Sequence, residues 1–254
     1  MIASIVLWLG LLAAVPGAVS LARPLRFAGI RTRRRGAGVL AAGLAAAAGA
    51  ALWPARRHMA GGSLAIDRAL PEYHFNERHA IEVRATPDAV DRAIREVTGD
   101  DVRSLVALMK IRSFPARLLG APRRRRAGRS ILNVATASSF FYLSDEPGRE
   151  IVLGTVGRFW TPSGGAVRVR IPQEFMRLGR RDAARAAMNF AIVPLGPVRC
   201  LVTTETRIEA LSPAALRKFT AYWRLIYPGS SLIRADWLRA IRRRAEAAAP
   251  PHTP

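Results

Sequence analysis

The side chains best suited to move a proton near neutral pH are the four histidines, His58, His74, His79 and His252. None has a partner at metal-ligand spacing, and no HExxH, GxSxG or phosphate-loop pattern occurs. His79 alternates with Ile81 and Val83, so it is either an acid–base group lining a cavity or a structural histidine. We favour the structural role. The sequence therefore predicts no catalytic residue, no metal site and no cofactor.

Two further features, a Glu–Arg pair and a lone cysteine, invite a chemical interpretation, and neither supports one. Glu205 and Arg207 could form a catalytic pair, but strand alternation places them with Glu209 on a wet face, which predicts a surface ion-pair ladder. The single cysteine, Cys200, excludes an internal disulfide and a cysteine-cluster metal site. It lies in an apolar strand pattern, which predicts a buried, inert thiol.

A stronger pattern for binding comes from apolar side chains that a sheet and a helix would bring together. The predicted pocket consists of Tyr142, Met188, Phe190, Thr204, Thr206, Phe219 and Trp223. A filled core would use the same apolar residues, but two threonines at strand centres favour a cavity with polar groups. Tyr142 joins the set in only one of the two registers open to the apolar stretch 138–144.

The run APRRRRAGRS, residues 121–130, forms the densest cluster of charge. Its arginines are Arg123, Arg124, Arg125, Arg126 and Arg129. Such a run predicts an exposed loop, which is either simply solvated or bound to anionic lipid head groups at about 1 kcal/mol per arginine. Nucleic acid is an unfavourable partner, because no aromatic residues are interleaved with the arginines. The net charge of +22 makes attraction to anions a general property of the chain.

The N-terminal quarter predicts two membrane-spanning helices. Residues 2–22 form one uncharged run of 21, and residues 36–53 form another of 18, which is roughly 27 Å of helix. Gly36, Gly43 and Gly49 would let the second helix pack closely on the first. A cleaved signal peptide is the alternative, but the first run lacks a basic n-region, so we favour a retained hairpin.

The charge of the link between these helices predicts the orientation. Residues 23–35 carry six arginines, and the first acidic residue of the chain is Asp67. A short basic loop prefers the cytoplasm, so the larger C-terminal part would lie outside the cytoplasmic membrane. Arg56 and Arg57, after the second helix, act weakly against this orientation.

The remainder predicts a juxtamembrane linker at 55–71, one folded domain at 72–246 and a disordered tail at 247–254. Thr86 and Pro87 start a helix after a strand, and a short helix follows within 100–111. Two hairpins, 138–159 and 183–209, turn at DEPG and PLGP and give an antiparallel sheet with one apolar and one wet face. Ser212-Pro213 starts a C-terminal helix, which Pro228-Gly229 would break.

This order of elements resembles the START-like superfamily, also called SRPBCC or Bet v 1-like. IEVRATPDAVDRAI, residues 81–94, is similar to its strand-into-helix start. MNFAIVPLGPVRCLVTTETRIEALSPAALRKF, residues 188–219, resembles its last hairpin and final helix. The resemblance implies an α+β helix-grip fold, in which a curved antiparallel sheet grips a C-terminal helix, here behind two transmembrane helices.

The resemblance also sets the functional expectations. It implies a cavity for a lipid-like or other small hydrophobic ligand, and membrane lipids are the expected partners of the anchored chain. A cyclase or hydratase that uses the same cavity is the alternative, because this fold hosts both binders and enzymes.

Overall fold

The structure is a computed structural model that describes residues 2–25, 28–108, 128–161, 165–167, 169, 171–179 and 181–248. The chain divides into two compact units. Met1–Ala55 and Leu216–Pro228 form the first, and Arg56–Ala215 and Gly229–Pro254 form the second. Residues 216–228 therefore cluster with the hairpin, although the sequence pattern assigns them to the domain at 72–246.

The first unit contains the predicted hairpin. Its helices are α1, Ile2–Ala22, and α2, Arg33–Leu52. Both are long and apolar enough to cross a membrane. The second begins three residues earlier than predicted, because the Thr32 side chain accepts a hydrogen bond from the Arg35 backbone N–H at 3.2 Å. The side of the membrane that the basic link faces stays a prediction.

Glycines let α1 and α2 approach closely, as the sequence predicts, but the pairs differ in part from those expected. A Cβ on Gly43 would lie 2.6 Å from the Gly10 carbonyl oxygen, and one on Gly36 would lie 2.7 Å from the Ser20 Cβ. A Cβ on Gly49 would meet nothing within 4 Å, so the predicted contact at Gly49 is wrong. Gly49 lies on the side of α2 that faces away from α1.

The second unit is built on an antiparallel sheet. Its strands are β1 His58–Met59, β2 Glu72–Tyr73, β3 Phe75–Val83, β4 Phe141–Glu146, β5 Glu150–Gly157, β6 Ala184–Gly196 and β7 Arg199–Ala210. The five longer strands run in the order β3-β7-β6-β5-β4, and β1 pairs with β2 separately. Both predicted hairpins are present, and the α+β class is confirmed.

Short helices flank the sheet, and one long helix ends the chain. They are α3 Ala65–Ala69, α4 Pro87–Glu96, α5 Ile131–Thr136, α6 Pro172–Met176 and α7 Pro213–Ala247. The predicted caps are confirmed, since Thr86 accepts from Ala89 N and Ser212 accepts from Ala215 N. The predicted break at Pro228 is wrong. Proline removes one helical N–H, but the turns on both sides keep their own hydrogen bonds, so α7 continues.

One face of the sheet, called the inner face, packs on α4 and on α7 from Gly229 onward. Phe190 of β6 meets Trp237 of α7 edge-to-face, with ring centroids 4.9 Å apart. Leu238 and Ile241 of α7 join the same core, together with Ile94 of α4. A helix held against an antiparallel sheet in this way is the helix-grip arrangement.

The opposite, outer face is also covered, so the prediction of a wet face is wrong. Ile66 and Leu70, in and next to α3, and Phe175 of α6 pack against Val152 and Ala187 of the sheet. Residues 64–70 thus form a covering segment within the stretch that the sequence assigns to a linker. The outer polar side chains of β3 stay exposed. Those beneath the covering segment are buried, and they bond to one another and to this segment: Glu150, Asn189, Glu205 and Arg207.

The buried outer face satisfies its charges internally. Glu150 accepts hydrogen bonds from the backbone N–H groups of Ala65 and Ile66 and from the Asn189 side chain, at 2.6, 3.2 and 2.7 Å. The predicted Glu205–Arg207 pair exists, with an N–O distance of 2.7 Å, but it is buried. The surface ladder is therefore wrong, because α3 excludes water and brings Asp67 to Arg207 at 2.7 Å.

The glycine contacts predict how the hairpin responds to single methyl groups. Gly43→Ala should destabilise it by about 1–3 kcal/mol relative to Gly49→Ala, because only the first methyl collides with a neighbouring backbone. Both changes raise helix propensity equally, so their difference isolates packing. Unfolding of the full chain in detergent, followed by circular dichroism, measures it. Equal stability of the two variants would contradict the close approach.

Candidate functional site

The register of the sheet lines up one row of side chains across the inner face. Tyr142 pairs with Leu153, which pairs with Met188, then Thr206 and finally Glu77. Partners directly opposite one another in antiparallel strands point to the same face. The row therefore ends at the carboxylate of Glu77, although the sequence pattern predicts an apolar face here.

The next inner row adds a second polar residue. Phe190 pairs with Thr204, and Thr204 pairs with His79. The two rows bring five of the predicted pocket residues onto one face: Tyr142, Met188, Phe190, Thr204 and Thr206. Tyr142, at the edge strand, is 38% exposed, whereas the other four are largely buried. Their role as the wall of a pocket stays a prediction.

The remaining two predicted pocket residues belong to the first unit. Phe219 and Trp223 lie on the part of α7 that clusters with the hairpin. Both are buried, and their rings stack with centroids 5.9 Å apart. Trp223 also meets Tyr227 edge-to-face at 5.8 Å.

A carboxylate–imidazole pair occupies the inner face between β3 and α7. His79 Nε2 lies 3.0 Å from Glu77 Oε1, and the Glu77 side chain is 1% exposed. The other carboxylate oxygen accepts a hydrogen bond from Ser230 Oγ at 2.6 Å. Ser231 Oγ lies 3.4 Å from His79 Nε2. Because Nε2 must carry a proton to bond the carboxylate, the ring donates this hydrogen bond from Nε2–H.

A guanidinium group lies on the same helix, one turn further on. Arg234 Nη1 donates to Met188 Sδ and, at 3.5 Å, to Thr204 Oγ1, and the guanidinium lies 5.9 Å from the Trp237 ring centre. Burial lowers the pKa of Arg234 to about 10, and the charge of Glu77 opposes this shift. Among the described residues, no carboxylate oxygen forms an ion pair with it. Arg234 stays charged at neutral pH.

Two buried polar atoms of the inner face lack hydrogen-bond partners among the described residues. They are Thr206 Oγ1 and Trp237 Nε1. Trp237 is 5% exposed, and its ring is the one that the Arg234 guanidinium contacts. Thr206 is the cross-strand partner of Met188, which Arg234 contacts. A buried donor without a partner costs about 1–3 kcal/mol, so such groups require an explanation.

The arrangement has two chemical capabilities. Arg234, Thr206 and Trp237 each carry a hydrogen-bond donor that an oxygen-bearing group can accept from, and Met188 and Phe190 beside them are buried apolar residues of the core. Separately, the Glu77–His79 pair can accept and return a proton.

Sequence reasoning missed four of these residues: Glu77, Ser230, Ser231 and Arg234. Glu77 lies two residues before His79 in β3, so strand alternation places both side chains on the same face. This spacing could have identified Glu77 from the sequence. The three residues of α7 were missed because a helix break was expected at Pro228. No prediction was therefore made about which of the following residues face the sheet.

Two other predictions concern residues away from this site. Cys200 is fully buried, and burial raises the pKa of its thiol, which agrees with the predicted inert cysteine. Arg123, Arg124, Arg125 and Arg126 lie outside the described residues, and Arg129 is exposed. Binding of this cluster to anionic lipid stays a prediction.

Comparisons with known proteins give only distant likenesses. No protein-family model matches the sequence, and no curated protein matches it. One similar solved structure is the di-domain ARO/CYC BexL from the BE-7585A biosynthetic pathway, at 16% identity and a TM-score of 0.33 over 70% of this chain. The chain spans about half, 48%, of that chain's length.

A second similar structure is TTHA0849 from Thermus thermophilus. It is 12% identical, with a TM-score of 0.28, over 69% of this chain and 100% of that chain. Likenesses at these scores identify neither a family nor an activity.

The two threonines of β7 predict opposite responses to the same substitution. Thr204→Val removes the 2.7 Å hydrogen bond to the Asn189 carbonyl oxygen and should cost about 1 kcal/mol of unfolding free energy. Thr206→Val removes a hydroxyl that bonds to no described residue, so stability should stay equal or rise. Chemical denaturation of the full chain in detergent compares the two. A larger loss for Thr206→Val would show that this hydroxyl has a structural partner.

Proposed function

We propose that this chain is a membrane-tethered, START-like binding module. Its ligand is a lipid-like small molecule with an apolar body and an oxygen-bearing polar end, held between the inner face and α7. The observation that carries the proposal is Arg234, a charged group on that face without a carboxylate partner among the described residues.

Two other arginines of the sheet unit, Arg207 and Arg185, support this interpretation by contrast. Burial alone would lower the pKa of Arg207, but hydrogen bonds to the Glu205 and Asp67 carboxylates raise it above its usual value. Arg185 is likewise paired with Glu209 at 2.6 Å. Among the described residues, the contacts of Arg234 are a thioether, a hydroxyl at 3.5 Å and an aromatic ring. The charge of Glu77 compensates this half-buried guanidinium only in part, so an oxygen acceptor from a ligand would stabilise it further.

The remaining features of the ligand follow from its surroundings. Thr206 Oγ1 and Trp237 Nε1 add two donors without partners among the described residues, and they fit a carboxyl, phosphate or carbonyl oxygen. Met188, Phe190 and Leu153 are buried apolar residues of the same core, and the body of the molecule would pack against them. The two candidate membrane spans favour a ligand that comes from the lipid bilayer, since they would keep the module close to the membrane lipids.

The test compares two arginines of one helix in the full chain, purified in detergent. Native mass spectrometry should detect a co-purified small molecule on the wild-type chain. Arg234→Met should reduce its retention roughly tenfold or more, because a charged hydrogen bond is lost. Arg239→Met, at an exposed position of α7, should leave retention unchanged, and lipid bound by the hairpin is unaffected by either change. Full retention by Arg234→Met would reject the proposal.

The alternative is an enzyme of the cyclase or hydratase kind, and the Glu77–His79 pair favours it. The carboxylate orients the imidazole through Nε2, a geometry that suits a general base working through Nδ1.

Glu77→Gln separates the enzyme from the binder. An enzyme should accumulate unreacted ligand in this variant. The molecule extracted from it should then differ from that of the wild type in mass, for a hydration or dehydration, or in chromatographic retention, for a cyclisation that conserves mass. The same molecule on both chains, identified by liquid chromatography and mass spectrometry, would leave the binding module as the function.

A further inference from the structure

The part of α7 that belongs to the first unit has an unusual composition. Residues 216–228, LRKFTAYWRLIYP, contain four aromatic and three basic residues and no acidic one. Together with Trp8 and Trp53 of the hairpin, this unit holds five of the nine tryptophans and tyrosines of the chain. Tryptophan and tyrosine concentrate where a membrane protein crosses from lipid to water.

An arginine of this segment bonds to the end of the second candidate span. The Arg224 guanidinium donates to the carbonyl oxygens of Ala50 and Trp53, in and just after the last turn of α2. The final carbonyls of a helix lack intrahelical donors, and at a bilayer they require partners from elsewhere. A cation at this end also complements the helix dipole. Arg224 therefore serves as a C-terminal cap for α2.

A second bond joins the segment to the first candidate span. Trp8 Nε1 donates to the Leu225 carbonyl oxygen at 3.1 Å. At about 1.5 Å per residue, Trp8 lies roughly 9 Å from the start of α1, and Ala50 lies roughly 3 Å from the end of α2. The segment thus packs on the end of the hairpin that carries the start of α1 and the end of α2.

We propose that residues 216–228 lie in the head-group layer of the bilayer, as an interfacial part of the membrane anchor. The segment of 13 residues is only about 20 Å long, too short to span the hydrocarbon core. Arg217 and Lys218 are exposed and fit anionic head groups, whereas Leu225, 46% exposed, fits the upper acyl region.

The experiment uses the full chain, with Cys200→Ala, in nanodiscs of phosphatidylcholine and phosphatidylglycerol. Leu225→Cys carries the fluorophore NBD, and the same label at Leu12→Cys, on the exposed side of α1, reports the deep hydrocarbon. Free NBD-cysteine in buffer is the aqueous reference. We expect iodide to quench the Leu225 label severalfold less than the reference. Lipids spin-labelled near the head group should quench it more than lipids labelled deep in the chain, and Leu12 should show the reverse order.

Two results would overturn the proposal. Iodide quenching equal to that of the aqueous reference would place the segment in water, and a depth profile equal to that of Leu12 would place it in the hydrocarbon. Arg224→Met in the labelled chain tests the cap separately. Iodide quenching at Leu225 should rise in this variant, and an unchanged value would show that Arg224 does not hold the segment at the bilayer.

Discussion

The register of β7 between β3 and β6 is the constraint on which the rest of the sheet unit depends. Both faces are buried over most of the sheet, and the polar residues of β7 alternate between them, with Glu205 and Arg207 on the outer face and Thr204 and Thr206 on the inner face. A slip of one residue would exchange the faces, bringing Arg207 to α7 and Thr206 to α3. Arg207 would then lose its two carboxylate partners. The register therefore fixes a structural polar layer on one face and a candidate binding surface on the other.

The two faces differ in how fully they satisfy their charges. On the outer face, Arg207 bonds to two carboxylates and to the Leu70 carbonyl, and it lies 5.0 Å from the Tyr73 ring centre. Such a network is complete in itself and fastens the segment 64–70 to the sheet. On the inner face, Glu77 is paired, but Arg234 has only weak partners among the described residues. This asymmetry is the physical reason for assigning ligand binding to the inner face.

The helix α7 supplies residues with different tasks along its length. Arg224 caps a candidate membrane span, and Trp223 stacks within an aromatic cluster of the same unit. From Gly229 onward, the helix presents Ser230, Ser231 and Arg234 to the inner face. Pro228 stands between these two parts and costs the helix one hydrogen bond.

The sequence alone determined the features that local physics controls. Uncharged length predicted both candidate spans, alternation predicted the long strands and their faces, and Thr86 and Ser212 marked the helix starts. These patterns depend on neighbours within a few residues, so no tertiary information was needed. Four predicted pocket residues on β6 and β7 reached one face for the same reason, since alternation carries them there, whereas only the pairing of β4 with β5 decided the face of Tyr142.

Only the tertiary structure decided what covers each face and which polar groups meet. The pairing of Glu77 with Ser230 joins residues 153 positions apart, and Asp67 reaches Arg207 across 140. No local pattern encodes such distances. A wet face and a buried polar network have the same alternation in sequence. They differ only in whether a segment such as 64–70 packs over them, because burial is a property of the whole fold.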